Sequence, residues 1–151
     1  MWKKILLGLI VLFLAIQLIR QPKNLGPARG PDDLIVRTAP DPEIGLLLEN
    51  ACYDCHSNQT RYPWYAEVQP VGWWLASHIN EGKEHLNFST IGQLTPKRAG
   101  RKLDQCAEEV TEGGMPLASY KLAHPNARLT PAQRKTLGNW FGIERAKYPT
   151  D

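Results

Sequence analysis

At 151 residues the chain has room for one ordinary domain and its appendages, and a hydrophobic content of 42% is enough to give that domain a small core. Twelve prolines and twelve glycines require many turns and exclude one long helical rod. The net charge of +3 belongs to the N-terminus: setting aside Lys3, Lys4 and Arg20 leaves 15 basic against 15 acidic residues, which removes the electrostatic case for nucleic acid or an anionic membrane surface as partner.

In chain order, Lys3 and Lys4 precede an apolar run over residues 5–19, broken only by Gly8 and Gln17. No small-residue cleavage pattern follows it, so residues 1–20 predict an uncleaved membrane anchor, a single transmembrane helix at the short end of the roughly 17 to 25 residues that span a bilayer. The positive-inside rule then keeps Lys3 and Lys4 cytoplasmic and places the remainder on the periplasmic, extracytoplasmic side of the cytoplasmic membrane. Residues 21–41 carry Pro22, Pro27, Pro31 and Pro40, too closely spaced for a helix or central strand, and predict a tether on which the domain swings. Only 33–37 offers a stretch able to pack on the domain, and no internal repeat is present.

Residues 42–148 are punctuated as an all-α domain with long loops. Asp41 as N-cap and Pro42 at N1 open a first helix, with Ile44, Leu47, Leu48, Ala51 and Cys55 at helical spacing. A second helix is expected over 71–81, with Val71, Trp74, Leu75 and His78 on one face and Gly82 as its stop. Thr95-Pro96 opens a third, carrying Ala99, Leu103, Cys106 and Val110 and ending at Gly113-Gly114. Thr130-Pro131-Ala132-Gln133 is a capping box for a fourth, whose buried face is Leu137, Trp140 and Phe141. On the third helix Lys97, Arg98, Arg101 and Lys102 precede Asp104, Glu108, Glu109 and Glu112, the reverse of what the helix dipole favours. That order fits a solvated face, with a docking patch or propionate contact as the alternative.

The chemistry sits in Cys52-Tyr53-Asp54-Cys55-His56. This C-x-x-C-H spacing attaches c-type haem: two thiols add across the vinyl groups and the adjacent histidine reaches iron. A zinc site would need a second ligand pair, and His78 and His85 stand too far apart for the usual spacing. A thioredoxin-like dithiol would open a helix within a βαβ unit, whereas this one closes a helix in an all-α chain. For the sixth iron position, Met115 in "EGGMPLASY" is presented from a loop of helix breakers, and His78 is its rival; His85 and a solvated His124 are weaker. The ring N–H of His56 is expected to find a carbonyl near Pro70. Trp73, Trp74, Leu75, Trp140 and Phe141 are expected to wall the haem, with Arg61, Tyr62 or Trp64 near a propionate. Cys106 is expected as a small buried apolar residue.

On "CYDCH", "GGMPL" and the terminal "LTPAQRKTLGNWF", the chain resembles the cytochrome c superfamily, and more narrowly the small bacterial haem-binding-domain proteins that pair an N-terminal membrane segment with one C-x-x-C-H domain. The resemblance covers roughly residues 42–148. It implies a cytochrome c-like fold around one covalent haem c, with the first and last helices crossing near the haem edge. It also implies His56 as proximal and Met115 as distal iron ligand, and His78 remains the distal alternative. No bond-making residue set is present, so the expected role is that of an electron carrier rather than an enzyme, exchanging single electrons with redox partner proteins. Two other classes stay open: a haem sensor or peroxidase-like protein with a labile sixth ligand, and an accessory haem subunit of a respiratory complex.

Overall fold

The computed structural model describes residues 1–27 and 29–149, and these form eight α-helices joined by loops and short 3-10 turns. In chain order the helices are α1 (Trp2–Ile16), α2 (Leu34–Thr38), α3 (Pro42–Ala51), α4 (Tyr53–His56), α5 (Val71–His85), α6 (Pro96–Glu112), α7 (Ala118–Ala123) and α8 (Pro131–Arg145). The one β-type pairing among the described residues is an isolated antiparallel bridge between Leu25 and Gln59. The all-helical expectation for the domain therefore agrees with the structure.

Local signals account for the three helices that build the core. Pro at the first position opens α3, α6 and α8; the Thr95 side chain caps α6, and Thr130 with Gln133 forms the reciprocal box at α8. Gly113, at φ 89°, ends α6 in the left-handed conformation. Helices α6 and α8 lie antiparallel and in close contact: a Cβ on Gly138 would stand 2.5 Å from Thr111 Oγ1, and one on Gly100 would stand 2.9 Å from Tyr148 Cβ. Leu48 of α3, Leu103 of α6, Leu137 and Phe141 of α8 and Phe88 of the turn Phe88–Gln93 meet in the core, each at most 2% exposed.

The N-terminal expectations are corrected. Helix α1 has 15 residues, none buried, and at about 1.5 Å per residue it falls well short of the roughly 30 Å hydrocarbon layer. No helix among the described residues is long and apolar enough to cross a membrane. The predicted transmembrane helix and the single-pass membrane location built on it are overturned. The physical reason lies in residues 17–20, which leave the helix to bond to the domain. Gln17 Nε2 donates to the Gln69 carbonyl at 3.1 Å while the Gln69 N–H donates to Gln17 Oε1 at 2.8 Å. Trp73 Nε1 donates to the Ile19 carbonyl at 2.8 Å, and Arg20 pairs with Glu67.

The proline-rich stretch is likewise held rather than swinging. The Asn24 N–H donates to Tyr62 Oη at 2.7 Å, and its side-chain amide donates to the Ser57 carbonyl and to Thr60 Oγ1. Farther on, Asp33 and Leu34 are buried, and Leu34 belongs to the main core. Prolines limit regular structure here to the short α2, between Pro31 and Pro40, without preventing side chains from packing.

Replacing Leu34 by Ala should cost about 2 to 5 kcal/mol of folding free energy, as core Leu truncations do. Denaturant titration beside Leu48→Ala checks this, since truncation within a free tether would leave the midpoint unchanged.

Candidate functional site

Helix α3 ends because Cys52, at φ −128° and ψ −46°, leaves the helical region. Its carbonyl then starts a new turn, accepting from the N–H groups of Cys55 at 3.2 Å and His56 at 2.9 Å. The two spacer residues, Tyr53 and Asp54, are buried, while Cys52, Cys55 and His56 are half-buried. Tyr53 stacks on Phe88 at 5.5 Å and donates its hydroxyl to Asp33 Oδ1 at 2.9 Å. The turn is thus anchored through its spacers, and its two thiols and one imidazole stand within five residues.

Helix α5 sets the histidine. It runs to His85, past the expected stop at Gly82, because that glycine is used for close approach: a Cβ there would stand 2.9 Å from the Cys55 carbonyl oxygen. Leu86 follows with extended backbone (ψ 129°), and its carbonyl lies 3.0 Å from His56 Nδ1. A carbonyl only accepts, so Nδ1 carries the proton and Nε2 keeps its lone pair. This replaces the expected carbonyl near Pro70, whose own oxygen instead accepts from Trp73 and Trp74 at the start of α5. Burial lowers the His56 pKa, opposed by hydrogen bonds to the Leu86 and Gly82 backbone, with nearby His85 a smaller lowering influence.

Burial also holds the cysteines as thiols. Cys52 is pushed up to about 12, mainly by burial and further by Cys55; Cys55 is pushed up to about 11, mainly by burial and further by Asp54. A redox-active Cys-x-x-Cys pair requires the opposite shift. Cys106 is half-buried against the same core, and its pKa is raised by burial and by Cys52 nearby. Among the described residues no group of three or more His, Cys, Asp or Glu is gathered to hold a bare metal ion.

The remaining candidates are dispersed around this turn. Met115 follows the left-handed Gly113; its N–H donates to the Glu109 carbonyl at 3.1 Å and its carbonyl accepts from Arg134 Nη1 at 3.2 Å. His78 packs on Trp74 at 4.3 Å and bonds through Nδ1 to the Trp74 carbonyl of its own helix. Trp74 is 48% exposed, and the buried residues of α5 are Gly72, Leu75 and Ile79, so the apolar face is rotated from the one expected. Trp140 is half-buried, edge-on to Phe141 at 5.1 Å. Trp73 points its indole N–H to the N-terminal segment, and Tyr62 receives Asn24. Trp64 is 80% exposed.

Three features lie outside the sequence expectations: the Leu86 carbonyl, the buried Asp33, and His124. The last is no solvated loop residue. It stacks on Tyr120 at 3.9 Å and reaches Tyr65 Oη at 3.5 Å. A cleft of about 350 Å³ lies behind the turn, beside Tyr53, Asp54 and Ser57, and is not lined by Cys52, Cys55 or His56. Its two guanidiniums are already paired, Arg29 with Glu49 and Arg61 with Asp54.

A family model described as a haem-binding domain matches residues 11–142. No curated protein and no solved structure matches the chain.

The raised thiol pKa values make a direct prediction for the haem-free protein. At pH 8 iodoacetamide should alkylate Cys55 about a hundredfold more slowly than in the denatured chain, and Cys52 more slowly still, because the thiolate is the nucleophile. Both rates should climb about tenfold per pH unit toward pH 11, read by mass spectrometry of quenched samples.

Proposed function

Because the chain belongs to the haem-binding domain family, we propose that it carries one haem of the c type, bound covalently through Cys52 and Cys55, and that it passes single electrons between redox partner proteins. The observation that carries this reading is the turn Tyr53–His56 with Cys52 before it: two neutral thiols beside an imidazole whose proton is fixed on Nδ1 by the Leu86 carbonyl. That donor set fits the cofactor. Addition of each thiol S–H across a vinyl group would put sulfur on one carbon and the proton on the other. His56 would hold iron through Nε2, and the hydrogen bond at Nδ1 fixes the ring and raises its basicity as a ligand. When bound, haem supplies a one-electron couple at its iron.

Met115 is favoured over His78 for the other side of the iron. A second iron ligand would come from an element other than the one that seats His56, and α5 already seats it through the Leu86 carbonyl and the close approach at Gly82. His78 belongs to that same helix, whereas Met115 comes from the separate loop after α6. With His56 and Met115 both bound to it, a haem would keep no position for a substrate, which would suit a carrier better than a catalyst or a sensor.

The test is a spectrum of the protein matured with a haem-attachment system. Haem should resist acid–acetone extraction from the native chain and become extractable from a Cys52→Ala, Cys55→Ala double variant. A ferric sulfur-to-iron band should be lost in Met115→Ala and kept in His78→Ala. Extractable native haem, or a band that survives loss of Met115, overturns the corresponding part of the reading. Rapid binding of CO by the native protein would favour the sensor instead.

A further inference from the structure

The residues between the two cysteines have no bond to make with a haem, yet Asp54 is only 6% exposed and its carbonyl and both carboxylate oxygens are engaged. Its Oδ1 accepts from the Arg61 N–H at 3.1 Å and from Arg61 Nε at 3.0 Å. Its Oδ2 accepts from the Tyr120 hydroxyl at 2.7 Å, and its carbonyl accepts from Thr60 Oγ1 at 2.6 Å. Arg61 is tied in turn to the end of α3, donating through Nη2 to the Glu49 carbonyl at 2.6 Å. Tyr120 is backed by His124, which stacks on its ring at an interplanar angle of 14° and bonds through Nδ1 to its carbonyl at 3.0 Å. The attachment turn is thereby joined to the loop that follows it and to α7, some 66 residues away in sequence.

This ion pair is lopsided. The Asp54 side chain is 8% exposed and that of Arg61 is 61% exposed. Solvent screens the guanidinium and leaves the buried carboxylate poorly screened, so the pair presents a net negative field on its protein side.

We propose that Asp54 is a positioning residue for the attachment turn, and that its buried charge, offset by Arg61, lowers the reduction potential of the haem held there. The inference rests on the covalent-haem reading above. A negative charge at the turn favours the more positive ferric state, so removing either member of the pair changes the potential with a definite sign.

Matured native protein, Asp54→Asn and Arg61→Gln are poised at the native midpoint potential, at one pH and ionic strength, and the reduced-to-oxidised ratio is read from visible spectra. The ratio should rise at least threefold in Asp54→Asn and fall at least threefold in Arg61→Gln. A merely structural clamp would move both variants the same way, because each loosens the same turn. Shifts of equal sign, or no shift beyond threefold, overturn the proposal. If Asp54→Asn retains no haem, the mostly exposed Arg61→Gln decides alone: a fallen ratio supports the proposal, and an unchanged or raised one overturns it. Native protein without covalent haem would overturn the functional reading and this proposal together; native haem with unshifted variants overturns only the proposal.

Discussion

One hydrogen bond, from His56 Nδ1 to the Leu86 carbonyl, constrains much of the rest of the molecule. For that carbonyl to be free it must lie beyond the last turn of α5, and for it to be near enough the helix must pass directly over the turn Tyr53–His56. Gly82 makes the passage possible, because any side chain there would meet the Cys55 carbonyl. The start of α5 is fixed at Pro70, so helix length and position are both dictated by where the imidazole must be held. Ring orientation and tautomer then follow from one backbone contact, while it is burial that favours the neutral ring.

A second demand comes from the spacers of the motif. Tyr53 and Asp54 are large polar residues turned into the protein, and each needs a partner that the haem-binding elements do not provide. The segment before α3 supplies Asp33 for the tyrosine, and Arg61 with Tyr120 serves the aspartate. The chain upstream of the domain is therefore part of its interior. The unpaired Asp33 Oδ2, buried among these groups, marks where the satisfaction of polar atoms is incomplete.

How much of this could be read from the sequence depends on the range of the interaction that decides each feature. Caps and N1 prolines act within four residues, and α3, α6 and α8 begin where Pro42, Pro96 and Pro131 placed them. The Cys52, Cys55 and His56 spacing is equally local. Gly82 was ambiguous because a glycine that stops a helix and a glycine that admits a neighbouring backbone look the same in one dimension. Hydropathy drew the N-terminal helix to Ile19, but the helix ends earlier through pairing of Gln17 with Gln69, 52 residues distant. His124 is held both nearby, by its stack on Tyr120 four residues before it, and at long range by Tyr65, 59 residues away. The Leu86 carbonyl had no signature at all, being a backbone atom that any residue type would offer.

The two-way amide contact between Gln17 and Gln69 has a mechanical meaning. With Trp73 and Glu67 fastening the next residues, the junction resists both bending and twisting, so α1 is a handle joined stiffly to the body rather than a string. Turning the handle turns the body through the same angle. Any surface that takes hold of the exposed apolar side chains of α1 would thereby also choose the direction in which His56 and its two neighbouring thiols face.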